Sequence, residues 1–218
     1  MFMRRFLLLF SLLFNSIISY SQSWTDFRFE SGDLLFQDMD CGELCDAIKT
    51  VTPTSHERHP SHVGLAYVVK DSVWVIEAWG DNVHLIPIRQ FLFRGEGEQG
   101  TPKVMVGRVP AEYQNLAGRA VGFALEQRGK PYDKTFEYDN GKYYAAELIF
   151  DAYKAANRGK ALFDTHEMSF SDPKNWKIHP FWKAYFEELK VKVPEGKTGF
   201  NAAALANDDN VEIVTSFY

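Results

Sequence analysis

His62 opens the run "HVGLAYVV" and Glu77 lies late in the run "SVWVIEAW". Both runs are rich in β-branched and aromatic residues and read as strands. Lys70 and Asp71 make a tight two-residue connection between them. Val69 then faces Ser72, and Glu77 falls opposite Gly64. His62 sits two residues from Gly64 on the same face, which makes it a diagonal neighbour of Glu77. A carboxylate within reach of an imidazole fixes its tautomer and stabilises its charged form. That is the base-plus-orienter half of a nucleophilic triad. A histidine at a strand end beside a solvent-facing glutamate fits the same spacing.

A triad also needs a nucleophile. The stretch "GKYYAAELIF" reads as the entry to a helix, with Ala145 in its first turn and on its inward stripe. A cysteine at that position would meet the positive end of the helix dipole, which lowers a thiol pKa. The residue present is alanine, whose methyl group cannot attack a carbonyl, and Ala146 beside it is equally inert. Taken alone, an alanine there needs no explanation beyond close packing.

Other candidates carry less. His56 and His59 lie in the loop "PTSHERHPS", and together with His62 they suggest a metal, but neither geometry nor a fourth ligand is evident. Cys41 and Cys45 in "CGELC" stand one turn apart if the segment is helical. Three readings stay open for them: structural thiols, a disulfide that closes a very small loop and constrains little, or a metal pair that lacks partners. His84 and Glu77 could approach each other on adjacent strands, but "VHLIPI" sets no register. No metal and no cofactor is expected.

The elements that must position these residues follow from periodicity. A short strand is expected at Leu34–Phe36 and a short helix over "CGELCDAIKTVT". "NVHLIPI" and "KVMVGRV" read as further strands, and the glycine-rich, charged "FRGEGEQGTP" between them as a mobile, solvated loop. "AEYQNLAGRAVGFALEQRG" carries a helical stripe of apolar and small residues, stopped by Gly129. "YAAELIFDAYKAAN" repeats the pattern, "HPFWKAYFEELK" makes a third helix, and "VEIV" returns as an edge strand. The expected architecture is α+β, an antiparallel sheet with helices packed to one side.

The chain has 218 residues. Arg4 and Arg5 precede the apolar run "FLLLFSLLF", and small residues follow at Ser19 and Ser21, the pattern of a secretory signal peptide over residues 1–21. The run is too short for a comfortable membrane span. Cleavage after Ser21 would leave one domain over residues 22–218, periplasmic or secreted, with no stable membrane span. It would carry 22 basic and 29 acidic side chains, a net charge of −7. That balance argues against a nucleic-acid partner, which needs a basic footprint.

Five stretches taken together, "GDLLF", "SHVGLAYV", "VWVIEAW", "GKPYDKTFEYDNGKYYAAELIFDAY" and "KVPEGKTGFN", resemble the YiiX/YaeF/YebB-like group of the NlpC/P60 superfamily of papain-like cysteine hydrolases. The histidine strand precedes the nucleophile helix, the circular permutation that marks the group. The resemblance covers roughly residues 31–214 and implies a permuted papain-like fold and an amidase or peptidase using a Cys-His-Glu triad. His62 matches the catalytic histidine and Glu77 its orienting partner. Ala145 occupies the cysteine position of a Tyr-Cys-Ser-Glu-Leu-like motif, here Tyr144-Ala145-Ala146-Glu147-Leu148. Tyr144 and Tyr132 become candidates to line the cleft or donate to an oxyanion, with aromatic core packing as the plainer reading. Asp33 matches the group's Gly-Asp turn, a structural position. The substrate implied is a small peptide, amino-acid or acyl compound, and no cofactor. The departure at Ala145 leaves two origins open: deliberate replacement of a cysteine, or natural loss with the cleft kept for binding.

Overall fold

The computed structural model describes residues 23–56, 58–94 and 100–217. The expected leader and its cleavage point lie outside the described residues. Ten strands and six α-helices follow in chain order among those described. They are β1 (Leu34–Gln37), α1 (Glu43–Val51), β2 (His62–Val69), β3 (Ser72–Trp79), β4 (Asn82–Pro87), α2 (Ile88–Leu92), β5 (Val104–Arg108), α3 (Gln114–Glu126), α4 (Ala145–Ala156), β6 (His166–Glu167), β7 (Ser171–Asp172), β8 (Lys177–Ile178), α5 (Pro180–Glu188), β9 (Thr198–Gly199), α6 (Ala202–Ala206) and β10 (Glu212–Phe217). Six strands form one antiparallel sheet in the order β10-β5-β1-β2-β3-β4. β10 is the edge strand that "VEIV" predicted.

Side chains alternate across this sheet because successive strand residues point to opposite faces. Leu34, Phe36, Val63, Leu65, Ile76 and Ala78 pack with α3 and α4 in the main core. Leu35, Ala66, Val75, Val104 and Val106 face the other way, onto Phe91 of α2 and Phe29 of the N-terminal segment. The major helices therefore lie on one side, as expected. The second face is covered by a short helix and an aromatic strap that periodicity did not reveal.

The Gly-Asp turn ties the two layers together. Gly32 has φ +96°, a region that favours glycine, and a Cβ there would come within 2.6 Å of the Ala117 side chain. Its carbonyl accepts from the Tyr153 hydroxyl of α4 at 2.7 Å. Asp33 is buried and accepts from Arg108 Nε at 2.7 Å and Nη2 at 2.9 Å, as well as from the Glu30 amide at 2.8 Å. The turn closes the sheet beneath the helices.

Candidate active site

The β2–β3 connection sets the first part of the site. Val69 pairs with Ser72 and Leu65 with Ile76, the register a two-residue turn imposes. That register brings His62 Nε2 to 2.7 Å from Glu77 Oε2, with both side chains buried. Because Nε2 faces a carboxylate, it is the protonated nitrogen, and Nδ1 keeps the lone pair. Burial lowers the His62 pKa and outweighs the hydrogen bond that His62 donates to Glu77, so the resting imidazole is neutral.

Glu77 is the hub of a wider network. His84 lies directly opposite it on β4, and its Nε2 stands 3.1 Å from Glu77 Oε1. His84 Nδ1 faces the Asn82 carbonyl at 3.1 Å. Both ring nitrogens thus meet acceptors, and the Glu77 hydrogen bond raises the His84 pKa. Arg94 donates from Nη1 to Glu77 Oε2 at 3.0 Å and from Nη2 to Oε1. Burial alone would raise the Glu77 pKa. Donors from His62, His84 and Arg94 outweigh it and hold the carboxyl well below the usual carboxylate range. Arg94 also lies over the rings of Trp79 at 5.2 Å and Phe91 at 5.5 Å. Trp79 in turn meets the His62 ring edge-on at 5.1 Å.

Ala145 is the first residue of α4, after Tyr144 in extended conformation as the helix cap. At a helix N-terminus the first backbone amides have no partner within the helix itself. Ala145 and His62 line one cavity of about 650 Å³. The wall is mostly apolar and aromatic, with Leu44, Ile48, Met168, Phe170, Trp182 and Phe200 among its members. Helix α1, the β7–β8 hairpin and α6 supply much of it, so the cleft is assembled from segments far apart in sequence.

The tyrosines line the same cavity. The Tyr144 hydroxyl accepts from the Phe200 amide at 3.1 Å, and Tyr132 packs edge-on to Phe136 at 6.5 Å. Burial raises both phenol pKa values, so both remain protonated. Asp33 lies away from the cavity lining, in the turn described above. Cys41 and Cys45 form a disulfide at the start of α1, so of the three readings open for this pair the small-loop bridge is the one found. His56 Nε2 bonds the Ala206 carbonyl at 2.7 Å and His59 bonds the Thr52 carbonyl, so the three histidines turn to different partners.

Two members of the network were not fixed by the sequence. His84 lacked a register. Arg94 sits in the stretch expected to be a mobile, solvated loop, yet it is packed between two rings and a buried carboxylate; residues 95–99 of that stretch lie outside the described residues. The helix that delivers Arg94, Ile88–Leu92, is a five-residue segment too short to show a periodic stripe.

Three similarities to known proteins bear on the family and the fold. The "Uncharacterized protein YiiX" of Escherichia coli (strain K12) is 29% identical over 128 residues, which is 58% of this chain and 58% of that protein. The chain thus matches little more than half the length of this relative. A solved structure titled "Crystal structure of metalloprotein yiiX from Escherichia coli O157:H7" shares the fold with a TM-score of 0.66 at 24% identity, covering 86% of this chain and 97% of that one. The word metalloprotein belongs to that protein. Among the described residues here, no group of three or more His, Cys, Asp or Glu side chains is gathered to hold a metal ion. The family model described as "Permuted papain-like amidase enzyme, YaeF/YiiX, C92 family" matches residues 28–215, and the chain belongs to that family.

Proposed function

We propose that the protein is an exported cysteine-amidase scaffold whose nucleophile position is held by Ala145, so that it does not hydrolyse its ligand as written. The observation that carries the reading is the shared cavity: the imidazole held by Glu77 and the N-terminus of α4 line one space. With a cysteine at position 145, His62 Nδ1 would take the thiol proton and the thiolate would attack an acyl carbonyl carbon. The first amides of α4 would be the donors for the carbonyl oxygen as it gains charge. His62 would then pass its proton to the leaving amine, and water would release the acid from the thioester. Tyr132 belongs to the wall in this scheme, and Tyr144 to the wall or, through its own proton, to the oxyanion.

The apolar wall favours an acyl group of low polarity over a charged peptide stem, in keeping with an amide or ester of a lipid-like acid. The methyl group of Ala145 supports a second reading. The chain in its present form would be a binding module of the cell envelope that holds such a ligand, or a peptide or amino acid, without cleaving it. Both readings place the protein outside the cytoplasm, on the strength of the leader pattern in residues 1–21.

The test is an electrophilic thiol probe on the parent chain and on Ala145→Cys. Strong labelling of the variant alone, lost when His62→Ala is added, is the expected result. A folded Ala145→Cys protein that labels no faster than a free thiol would remove the hydrolase reading and leave the binding module. Hydrolysis by the parent that depends on His62 would remove both.

A further inference from the structure

One wall of the cavity ends in a structure that the chemistry above does not use. β7 and β8 pair as a short hairpin, Ser171 with Ile178 and Asp172 with Lys177. Its tip runs Pro173-Lys174-Asn175-Trp176. Pro173 and Trp176 line the cavity, yet Trp176 is 81% exposed, the most exposed large hydrophobic side chain among the described residues. Trp176 also has φ +58°. The left-handed region is unfavourable for a non-glycine residue.

The tip is nevertheless firmly built. The Asp172 carbonyl accepts from the Trp176 amide at 2.8 Å and the Asn175 amide at 3.2 Å. The Asp172 carboxylate accepts from the Lys174 amide at 2.8 Å, and the Asn175 side chain from the Lys177 amide at 2.9 Å. At the base, Glu195 accepts from the Ser169 hydroxyl at 2.9 Å, the Phe170 amide at 2.6 Å and the Ser171 hydroxyl at 3.0 Å. A hydrogen-bonded frame thus holds an indole out in water, in a backbone conformation that is costly for it.

An indole with a polar edge is at home in the headgroup zone of a bilayer, and lysine stems cover apolar surface while their ammonium groups meet phosphate. Lys174 and Lys177 flank Trp176 and are exposed. The cavity behind the hairpin is mostly apolar. A ligand with a long acyl chain partitions into membranes more strongly with every methylene, so a protein that takes such a ligand meets it there.

We propose that the β7–β8 hairpin docks the protein transiently on a lipid bilayer, with Trp176 in the headgroup zone and the cavity mouth open to the membrane. The purpose of the contact rests on the acyl-ligand reading above; the contact itself does not. Among the described residues the cavity lining carries Asp164, Glu167, Asp208 and Asp209 and no lysine or arginine. These carboxylates oppose the charge of Lys174 and Lys177, so Trp176 rather than net charge supplies the contact, on neutral and anionic surfaces alike.

The test uses the full chain and vesicles of brominated phosphatidylcholine, with and without phosphatidylglycerol. Trp176→Asn is the variant, because asparagine tolerates a left-handed backbone and keeps the hairpin folded. Tryptophan fluorescence of the parent is expected to be quenched by both vesicle types. The bound fraction is expected to fall roughly tenfold in Trp176→Asn, the loss of part of one buried indole. Equal quenching of parent and variant, or none in the parent, overturns the proposal. So does a change in Trp176 fluorescence seen only with a soluble short-chain fatty acid, which would make Trp176 a lid over the ligand. Labelling of Ala145→Cys by a small soluble probe is read separately. Labelling without quenching sinks the docking alone, whereas quenching without labelling sinks the hydrolase reading alone.

Discussion

His62 and Arg94 share one oxygen of Glu77: the imidazole Nε2 reaches Oε2 at 2.7 Å and the guanidinium Nη1 reaches it at 3.0 Å. The carboxylate that orients the candidate base is therefore itself anchored. Its other oxygen is held by His84 and by Arg94 Nη2. A carboxylate so fully occupied is fixed in place and kept ionised, which makes it an orienter rather than a proton acceptor.

Arg94 should matter although it lies outside the cavity lining. Its positive charge disfavours protonation of His62. In Arg94→Met that opposition is gone while Glu77 stays negative, so His62 should titrate at higher pH than in the parent, read from its ring resonances by NMR. In the Ala145→Cys background the same change should slow thiol labelling roughly tenfold. An unchanged or lowered His62 titration would show that Arg94 only fills space.

Glu147 should make stability fall with rising pH. It is buried, one oxygen accepts from the Asp139 amide at 3.0 Å, and Oε2 has no hydrogen-bond partner among the described residues. Burial pushes its pKa from 4.5 up to about 8. The folded state thus holds this proton more tightly than the unfolded chain does. Its contribution is fully present below the unfolded pKa and is lost as pH rises through the folded one. Denaturant unfolding of Glu147→Gln should show a flatter pH dependence than the parent across that window, with the variant relatively more stable at its alkaline end. Parallel curves would mean that Glu147 is ionised throughout.

Gly32→Ala should destabilise the fold by about 3 kcal/mol, the combined cost of a left-handed alanine and overpacking. The new Cβ would lie 2.6 Å from the Ala117 side chain and 2.9 Å from the Tyr153 hydroxyl. Urea unfolding of the variant measures the loss. A change below about 1 kcal/mol would mean that the turn relaxes freely.

The Cys41–Cys45 disulfide closes a loop with a sequence separation of only 4. Chain-entropy arguments limit its contribution to about 2 kcal/mol. Cys41→Ser with Cys45→Ser should therefore leave a folded protein with a modestly lower unfolding midpoint. A larger loss would place the bridge among the main supports of α1 and its cavity wall.

Much of the site was legible because it rests on local rules. A two-residue turn at Lys70 and Asp71 fixes the register of its hairpin, and the register alone puts His62 diagonal to Glu77. A 3.6-residue stripe puts Ala145 at the start of an inward-facing helix. Alternation and stripes together gave the antiparallel sheet and its helical layer. Each of these depends on neighbours within one element or one turn, so the order of residues specifies it.

Tertiary structure decided what no local rule reaches. His84 needed the register of β4 against β3, which "VHLIPI" leaves free. Arg94 lies in a glycine-rich, charged stretch whose composition speaks for solvent, and it is held in place by a carboxylate and two rings brought in from elsewhere. The cavity draws on α1, the β7–β8 hairpin and α6, whose short runs carry little periodicity. The sequence by itself determined that His62 could stand diagonal to Glu77 and that Ala145 could open an inward-facing helix. Only the packed fold decided what holds that base still and what shape of ligand the cleft admits, because burial, charge pairing and cavity walls arise from contacts between segments that the chain order keeps apart.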